Sequence, residues 1–149
     1  MCLERVVRRH ELRCLAYCLM PNHYHLVLEA SGSLSDAMKA LNGRYALRFN
    51  RRHHRDAHLF KNRFGAVVQD SGPQLLWTLR YTVRNPVESG LCAQPDEWPW
   101  SSYRACAGLE PAPPFLDLAC VLAYFGDEAA MAMARFRDLA TDPRGDPGV

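Results

Sequence analysis

The residues best suited to chemistry are two histidines separated by one position, in the segment His23-Tyr24-His25. Side chains alternate between the two faces of a β-strand, so His23 and His25 project from the same face, about 7 Å apart along the backbone. Two imidazoles at this spacing can converge on one cation, because neutral histidine is the commonest metal ligand. The same pattern also fits two ordinary surface histidines, so the motif alone does not select the metal site.

A second pair of polar side chains, Tyr81 and Asn85, lies in a later segment with helical periodicity. A spacing of four residues places both side chains on one face of a helix, together with Trp77. An apolar stripe occupies another side of that helix and consists of Leu75, Leu76, Leu79 and Val83. Tyr81 is therefore not simply one more core residue. The alternative is a tyrosine that is half-buried at the helix edge.

Other histidines and cysteines are weaker candidates for a metal site. A Cys2His2 set that includes Cys14 and Cys18 is rejected, because four residues of extended strand span roughly 13 Å, against ligand bonds of about 2.3 Å. The six cysteines contain no C-x-x-C pair, which favours buried apolar side chains over disulfides. A second histidine cluster extends the basic surface described below or is simply solvated; it consists of His53, His54 and His58.

The first structural element that these motifs require is a β-hairpin. Residues 13–20 and residues 23–29 are strand-like runs, and Pro21-Asn22 between them is a turn dipeptide. A further strand is predicted over residues 59–69, which contain the apolar sequence FGAVVQ. These three segments predict an antiparallel sheet.

Helices are predicted between and after the strands. One is capped by Ser33 or Ser35 and runs to about residue 52; another begins after Ser71 and reaches Asn85, where Pro86 ends or kinks it. The segment EWPWSSYR predicts a turn and a short helix, in which the two tryptophans are interpreted as packing anchors rather than base-stacking platforms. Two last helices are predicted over residues 117–125 and 128–139.

This order of elements predicts an α+β fold with helices on one face of an antiparallel sheet. We expect one domain over residues 1–140 and a disordered tail over residues 141–149. The composition, 48% apolar and 23% charged, is that of a globular protein. No apolar run approaches the length of a membrane span or a signal-peptide core, so we expect a cytoplasmic protein without a membrane partner.

Positive charge is concentrated in the middle of the chain, although the net charge is only +2. One acidic residue, Asp56, interrupts a basic stretch that consists of Arg44, Arg48, Arg51, Arg52, Arg55, Lys61 and Arg63. Such a cluster indicates a polyanionic partner, nucleic acid above all, and the alternative is a solvated helix face.

Five blocks of sequence between Leu12 and Gly108 resemble the REP-associated tyrosine transposases, a branch of the single-tyrosine HUH transposases. The blocks are AYCLMPNHYHLVLE, LNGRYALRFNRRHH, HLFKNRFGA, RYTVRNPVESGL and EWPWSSYRA. The resemblance implies a ferredoxin-like sheet, His23 and His25 as the metal-binding pair, Tyr81 as the nucleophile and Asn85 as the third metal ligand.

The same resemblance implies an enzyme that nicks and rejoins single-stranded DNA beside a hairpin, through a 5′-phosphotyrosine on Tyr81. Two nitrogen ligands and one oxygen ligand suit Mn²⁺ or Mg²⁺ for catalysis, whereas Zn²⁺ can bind without supporting turnover. The basic stretch would position the DNA backbone, with an affinity that falls steeply with salt.

The chain departs from these relatives at its amino end, where only MCLERVVRRHEL precedes Arg13. Relatives open with a β-strand and a longer first helix, so we expect an N-terminally truncated domain without the first strand. Either the true start lies upstream, or this is a decayed copy, or another chain fills the gap, as in a homodimer. The alternative function is therefore a catalytically inactive DNA-binding remnant of the same fold.

Overall fold

The computed structural model describes residues 2–142; residues 1 and 143–149, most of the expected tail, lie outside the described part. The chain divides into two compact units. The first contains the residues up to Arg13 and Ala30–Val68, and the second contains Cys14–Glu29 and the chain from Gln69 onward. The single domain expected over residues 1–140 stays a prediction.

The first unit is built on two helices, α1 (Cys2–Arg9) and α2 (Leu34–His53), which pack against each other. Ser33 caps α2 because its side chain accepts a hydrogen bond from the backbone N–H of Asp36 at 3.2 Å. His54 ends the helix in a left-handed conformation, with φ of 50°. The helix predicted from Ser33 or Ser35 to about residue 52 is thereby confirmed, with Ser33 as its cap.

The segment after α2 contains neither helix nor strand, so the strand predicted over residues 59–69 is wrong. Its two central valines are largely exposed, Val67 by 78% and Val68 by 75%. An extended segment becomes a strand only when it pairs with a neighbour and buries one face, and this apolar sequence buries neither valine. Phe60 instead packs on Tyr45 of α2, with ring centroids 6.1 Å apart.

The predicted hairpin is confirmed, with β1 at Leu12–Leu19 and β2 at Tyr24–Ala30. Its residues from Cys14 to Glu29 belong to the second unit. The other edge of β1 carries two isolated bridges, from Cys14 to Leu116 and from Cys18 to Ser101. The described sheet thus has two strands, and the class is mixed α+β as predicted. The ferredoxin-like arrangement stays a prediction, since two strands do not define it.

Four further helices complete the second unit. They are α3 (Gly72–Glu88), α4 (Tyr103–Cys106), α5 (Leu118–Ala123) and α6 (Ala129–Thr141), with a 3-10 turn at Pro95–Glu97. All were predicted, although α6 includes Thr141, so the expected disordered tail does not begin at residue 141. The prediction that Pro86 ends or kinks α3 at Asn85 is wrong about the end, because the helix continues to Glu88. Pro86 lies in the last turn, where its missing N–H removes one helical hydrogen bond, to the carbonyl four residues earlier, and its ring is fully buried.

The core of the second unit lies between the hairpin and these helices. Its largest fully buried apolar side chains are Leu79, Val83, Val121 and Phe136. Leu79 and Val83 come from α3, so the helix that carries Tyr81 is fixed by close packing on its apolar side. No helix within residues 2–142 is long and apolar enough to cross a membrane.

Candidate active site

The turn between β1 and β2 places His23 just before the second strand. The turn is closed by a hydrogen bond from the Met20 N–H to the His23 carbonyl, at 2.9 Å. The Asn22 side-chain oxygen lies 2.7 Å from Nδ1 of His23 and accepts a hydrogen bond when that nitrogen is protonated. In the tautomer with the proton on Nδ1, Nε2 of His23 is the nitrogen that can bind a cation. Sequence reasoning missed Asn22, whose one signal was its place beside the histidine motif.

The two imidazoles meet as the spacing predicted. Nε2 of His23 lies 3.1 Å from Nε2 of His25, and the ring planes are nearly perpendicular, at 86°. Burial lowers the pKa of His25, the neighbouring His23 lowers it further, and a hydrogen bond with the Asn85 side chain acts in the opposite direction. A lowered pKa favours the neutral imidazole, which is the form that binds metal ions.

Tyr81 lies between two other rings. Its ring stacks on Trp77, one helical turn earlier, with centroids 5.3 Å apart and planes 8° apart. His25 makes the other contact, with ring centroids 5.4 Å apart and ring planes nearly perpendicular, at 83°. These two ring contacts restrict the rotamers of the half-buried phenol.

Asn85 lies one turn beyond Tyr81 and is only 7% exposed. Its side chain reaches His25, so it belongs to the same cluster as the imidazole pair. The part of α3 that carries it is fastened to the segment at the end of α6, since Arg84 donates to the Ala140 carbonyl at 2.9 Å and the buried Arg80 to that of Asp142 at 2.7 Å. The four site residues predicted from sequence are thus brought together in one unit.

The distance between the two imidazole nitrogens suits a shared divalent cation. Two ligands at right angles around an ion with bonds of about 2.1 Å lie about 3 Å apart, close to the 3.1 Å between the two Nε2 atoms. Within residues 2–142, no three His, Cys, Asp or Glu side chains are grouped to hold a metal. Asn85, whose side chain forms a hydrogen bond with His25, is an amide and so lies outside that set of residue types.

The cysteines near the hairpin do not belong to this site. Burial raises the pKa of both Cys14 and Cys18 to about 12, so both are neutral thiols rather than thiolate ligands. The tryptophans of EWPWSSYR behave differently from each other. Trp98 donates through Nε1 to the Leu19 carbonyl at 3.0 Å and is a packing anchor, whereas Trp100 is 60% exposed.

The predicted DNA-binding residues all lie in the first unit, on α2 or in the segment after it. Three of them line one cavity, Arg44, Arg48 and Arg51. The others do not line it: Arg52, Arg55, Lys61 and Arg63. Of these, Arg55 lies over the ring of Phe49, 6.0 Å from its centroid.

Comparison with known proteins adds a family to this geometry. A family model described as "Transposase IS200 like" matches residues 1–84, more than half of the 149 residues. The match includes the imidazole pair and Tyr81 and stops one residue before Asn85. Searches of curated proteins and of solved structures gave no match. The REP-associated branch stays a prediction, but the chain belongs to the family of IS200-like transposases, DNA-processing proteins.

Proposed function

We propose that this transposase nicks and rejoins single-stranded DNA beside a hairpin, with Tyr81 as the nucleophile and a divalent metal ion as cofactor. The observation that carries the proposal is the position of His25, whose side chain contacts His23, Tyr81 and Asn85. A nucleophile, a metal-ligand pair and an amide oxygen therefore meet around one imidazole.

The cation would be held by His23, His25 and the Asn85 amide oxygen. When bound there, Mg²⁺ or Mn²⁺ supplies positive charge that polarises a non-bridging oxygen of the phosphodiester. The residues themselves keep their ligand atoms in place: Asn22 contacts Nδ1 of His23, and burial keeps the pKa of His25 low, which favours its neutral, metal-binding form.

Tyr81 performs the covalent step. Its phenolic oxygen forms a bond to phosphorus, the bond from phosphorus to the 3′ oxygen breaks, and the phenolic proton is lost while the departing oxygen gains one. The products are a 5′-phosphotyrosine and a free 3′-hydroxyl. Because the new ester keeps the energy of the broken bond, a 3′-hydroxyl can reverse the step and join strands without ATP. Trp77 and His25 hold the phenol in place.

A gel assay tests this function. The full chain is incubated with a labelled oligonucleotide that carries a hairpin flanked by single strands, with Mn²⁺ or with EDTA. We expect a covalent adduct on a denaturing gel only with the metal, and none from Tyr81→Phe. Tyr124→Phe is the matched control, because Tyr124 is also in the second unit and is 45% exposed.

Two outcomes would contradict the proposal. An adduct that persists in Tyr81→Phe would exclude this residue as the nucleophile. DNA binding by the wild-type chain with no adduct in Mg²⁺ or Mn²⁺ would favour the inactive DNA-binding remnant instead.

A further inference from the structure

Helices α1 and α2, both in the first unit, border an open cavity of about 760 Å³. Its lining contains one acidic residue, Glu4, and arginines from both helices. Three come from α1 and three from α2: Arg5, Arg8, Arg9, Arg44, Arg48 and Arg51. Arg44, Arg48 and Arg51 were predicted from the sequence to bind DNA, whereas the three arginines of α1 were not.

The arginines lie in rows along the two helices. Arg44, Arg48 and Arg51 follow each other at spacings of four and three residues, which places them on one side of α2. On α1 the buried side is apolar, and it includes Val6 and Val7. The charged sides of both helices therefore line the same open space.

The described chain does not balance these charges. Within residues 2–142, none of the six guanidinium groups forms an ion pair. Six like charges around one space repel each other, and Glu4 alone does not balance them. An anion that enters the cavity relieves this repulsion, and the guanidinium fork matches phosphate oxygens in particular.

The length of the rows indicates a polyanion rather than a single phosphate. With a rise of 1.5 Å per residue, Arg44 to Arg51 covers roughly 10 Å of helix. Phosphates follow each other about every 3.4 Å along one strand of a duplex axis, so the row matches about three of them. A mononucleotide or a free phosphate would leave most of these arginines without a partner.

We propose that this cavity binds the phosphodiester backbone of the DNA. Arg5, Arg8 and Arg9 contact its phosphates in the same way as the three arginines of α2. The inference rests on the proposed function only in taking DNA as the polyanion. A single strand and a paired hairpin stem offer the same backbone chemistry, so two probes separate them.

The test measures DNA affinity of the full chain in EDTA, where cleavage plays no part. Fluorescent probes are an oligonucleotide without self-complementarity and a hairpin of the same length. We expect the double variant Arg5→Gln/Arg8→Gln to lose at least about tenfold in affinity at 0.1 M salt. The slope of log affinity against log salt should fall by about 1.4 on a single strand, or about 1.8 on a duplex.

Lys39→Gln is the control, because Lys39 is an exposed cation of α2 that does not line the cavity. The loss of DNA affinity in the double variant must be more than twice the loss in Lys39→Gln. Thermal melting checks that both variants remain folded. Loss on both probes assigns a single-stranded backbone, and loss on the hairpin alone assigns the stem.

Unchanged affinity and salt slope on both probes, or changes no larger than twice the control, overturn the inference. The proposed enzymatic function can be refuted independently of this binding site. If the wild-type chain forms no covalent adduct but the arginine variants still lose affinity, the enzyme proposal is refuted and this binding site stands.

Discussion

The two units of the chain present their polar side chains in opposite ways. In the first unit, arginines lie in rows on two helices, and five of the six that line the cavity are exposed. In the second unit, the half-buried His25 and Tyr81 come from a strand and a helix far apart in sequence, and they meet at 5.4 Å. The proposed backbone-binding surface tolerates mobile side chains, because phosphate contacts position a strand without reading it, whereas the proposed in-line attack requires one geometry.

The difference also concerns what holds each region in place. The row on α2 depends on helical spacing alone. The meeting of His25 and Tyr81 depends on the core under α3, where Leu79 and Val83 are fully buried. Changes to that core should therefore disturb the second region far more than surface changes disturb the first.

The largest expected effect comes from Leu79→Ala. Leu79 has no exposed surface, so removing its side chain leaves a cavity and should cost about 2–5 kcal/mol of unfolding free energy. Leu47→Ala on α2, which removes the same atoms from a side chain that is 55% exposed, should change it by less than about 0.5 kcal/mol. Urea denaturation measures both. Equal losses of unfolding free energy would contradict the conclusion that the core under α3 holds its region in place more firmly than side-chain contacts hold the surface of α2.

An intermediate effect is expected from Asn22→Ala. This change removes the acceptor that orients His23 and should weaken Mn²⁺ binding by about tenfold to a hundredfold. Isothermal titration measures the affinity, with His23→Ala as the limit of full ligand loss. His58→Ala, an exposed histidine of the first unit, is the matched control and should bind as the wild type does. Wild-type affinity in Asn22→Ala would mean that the turn does not organise the metal ligands.

The smallest effect concerns thiol reactivity. Burial raises the pKa of Cys14 and Cys106 to about 12, so at pH 8 only about one in ten thousand of these thiols is ionised. Cys2 lines the open cavity of the first unit and should be alkylated by iodoacetamide well before them. Mass spectrometry at timed intervals measures the order, and bound DNA should slow only Cys2. Reaction of Cys14 at the rate of Cys2 would contradict the buried setting.

The main errors of sequence-based prediction arose where distant contacts override local preference. FGAVVQ has the residue types of a strand, yet Val67 and Val68 are exposed. The prediction failed because strand formation depends on distant contacts that residue types alone do not reveal. Pro86 predicted a helix end, but burial of its ring keeps it inside the last turn of α3.

The sequence alone determined the features that follow from local periodicity. The hairpin, the shared side of His23 and His25 and the shared face of Tyr81 and Asn85 each need only a strand or helix repeat. Tertiary structure decided the rest: which imidazole touches the phenol, how Asn85 reaches His25, and that α1 supplies half of the arginines around the cavity. The physical reason is that spacing sets the direction of a side chain along its own element, whereas the packing of one element on another sets what that side chain meets.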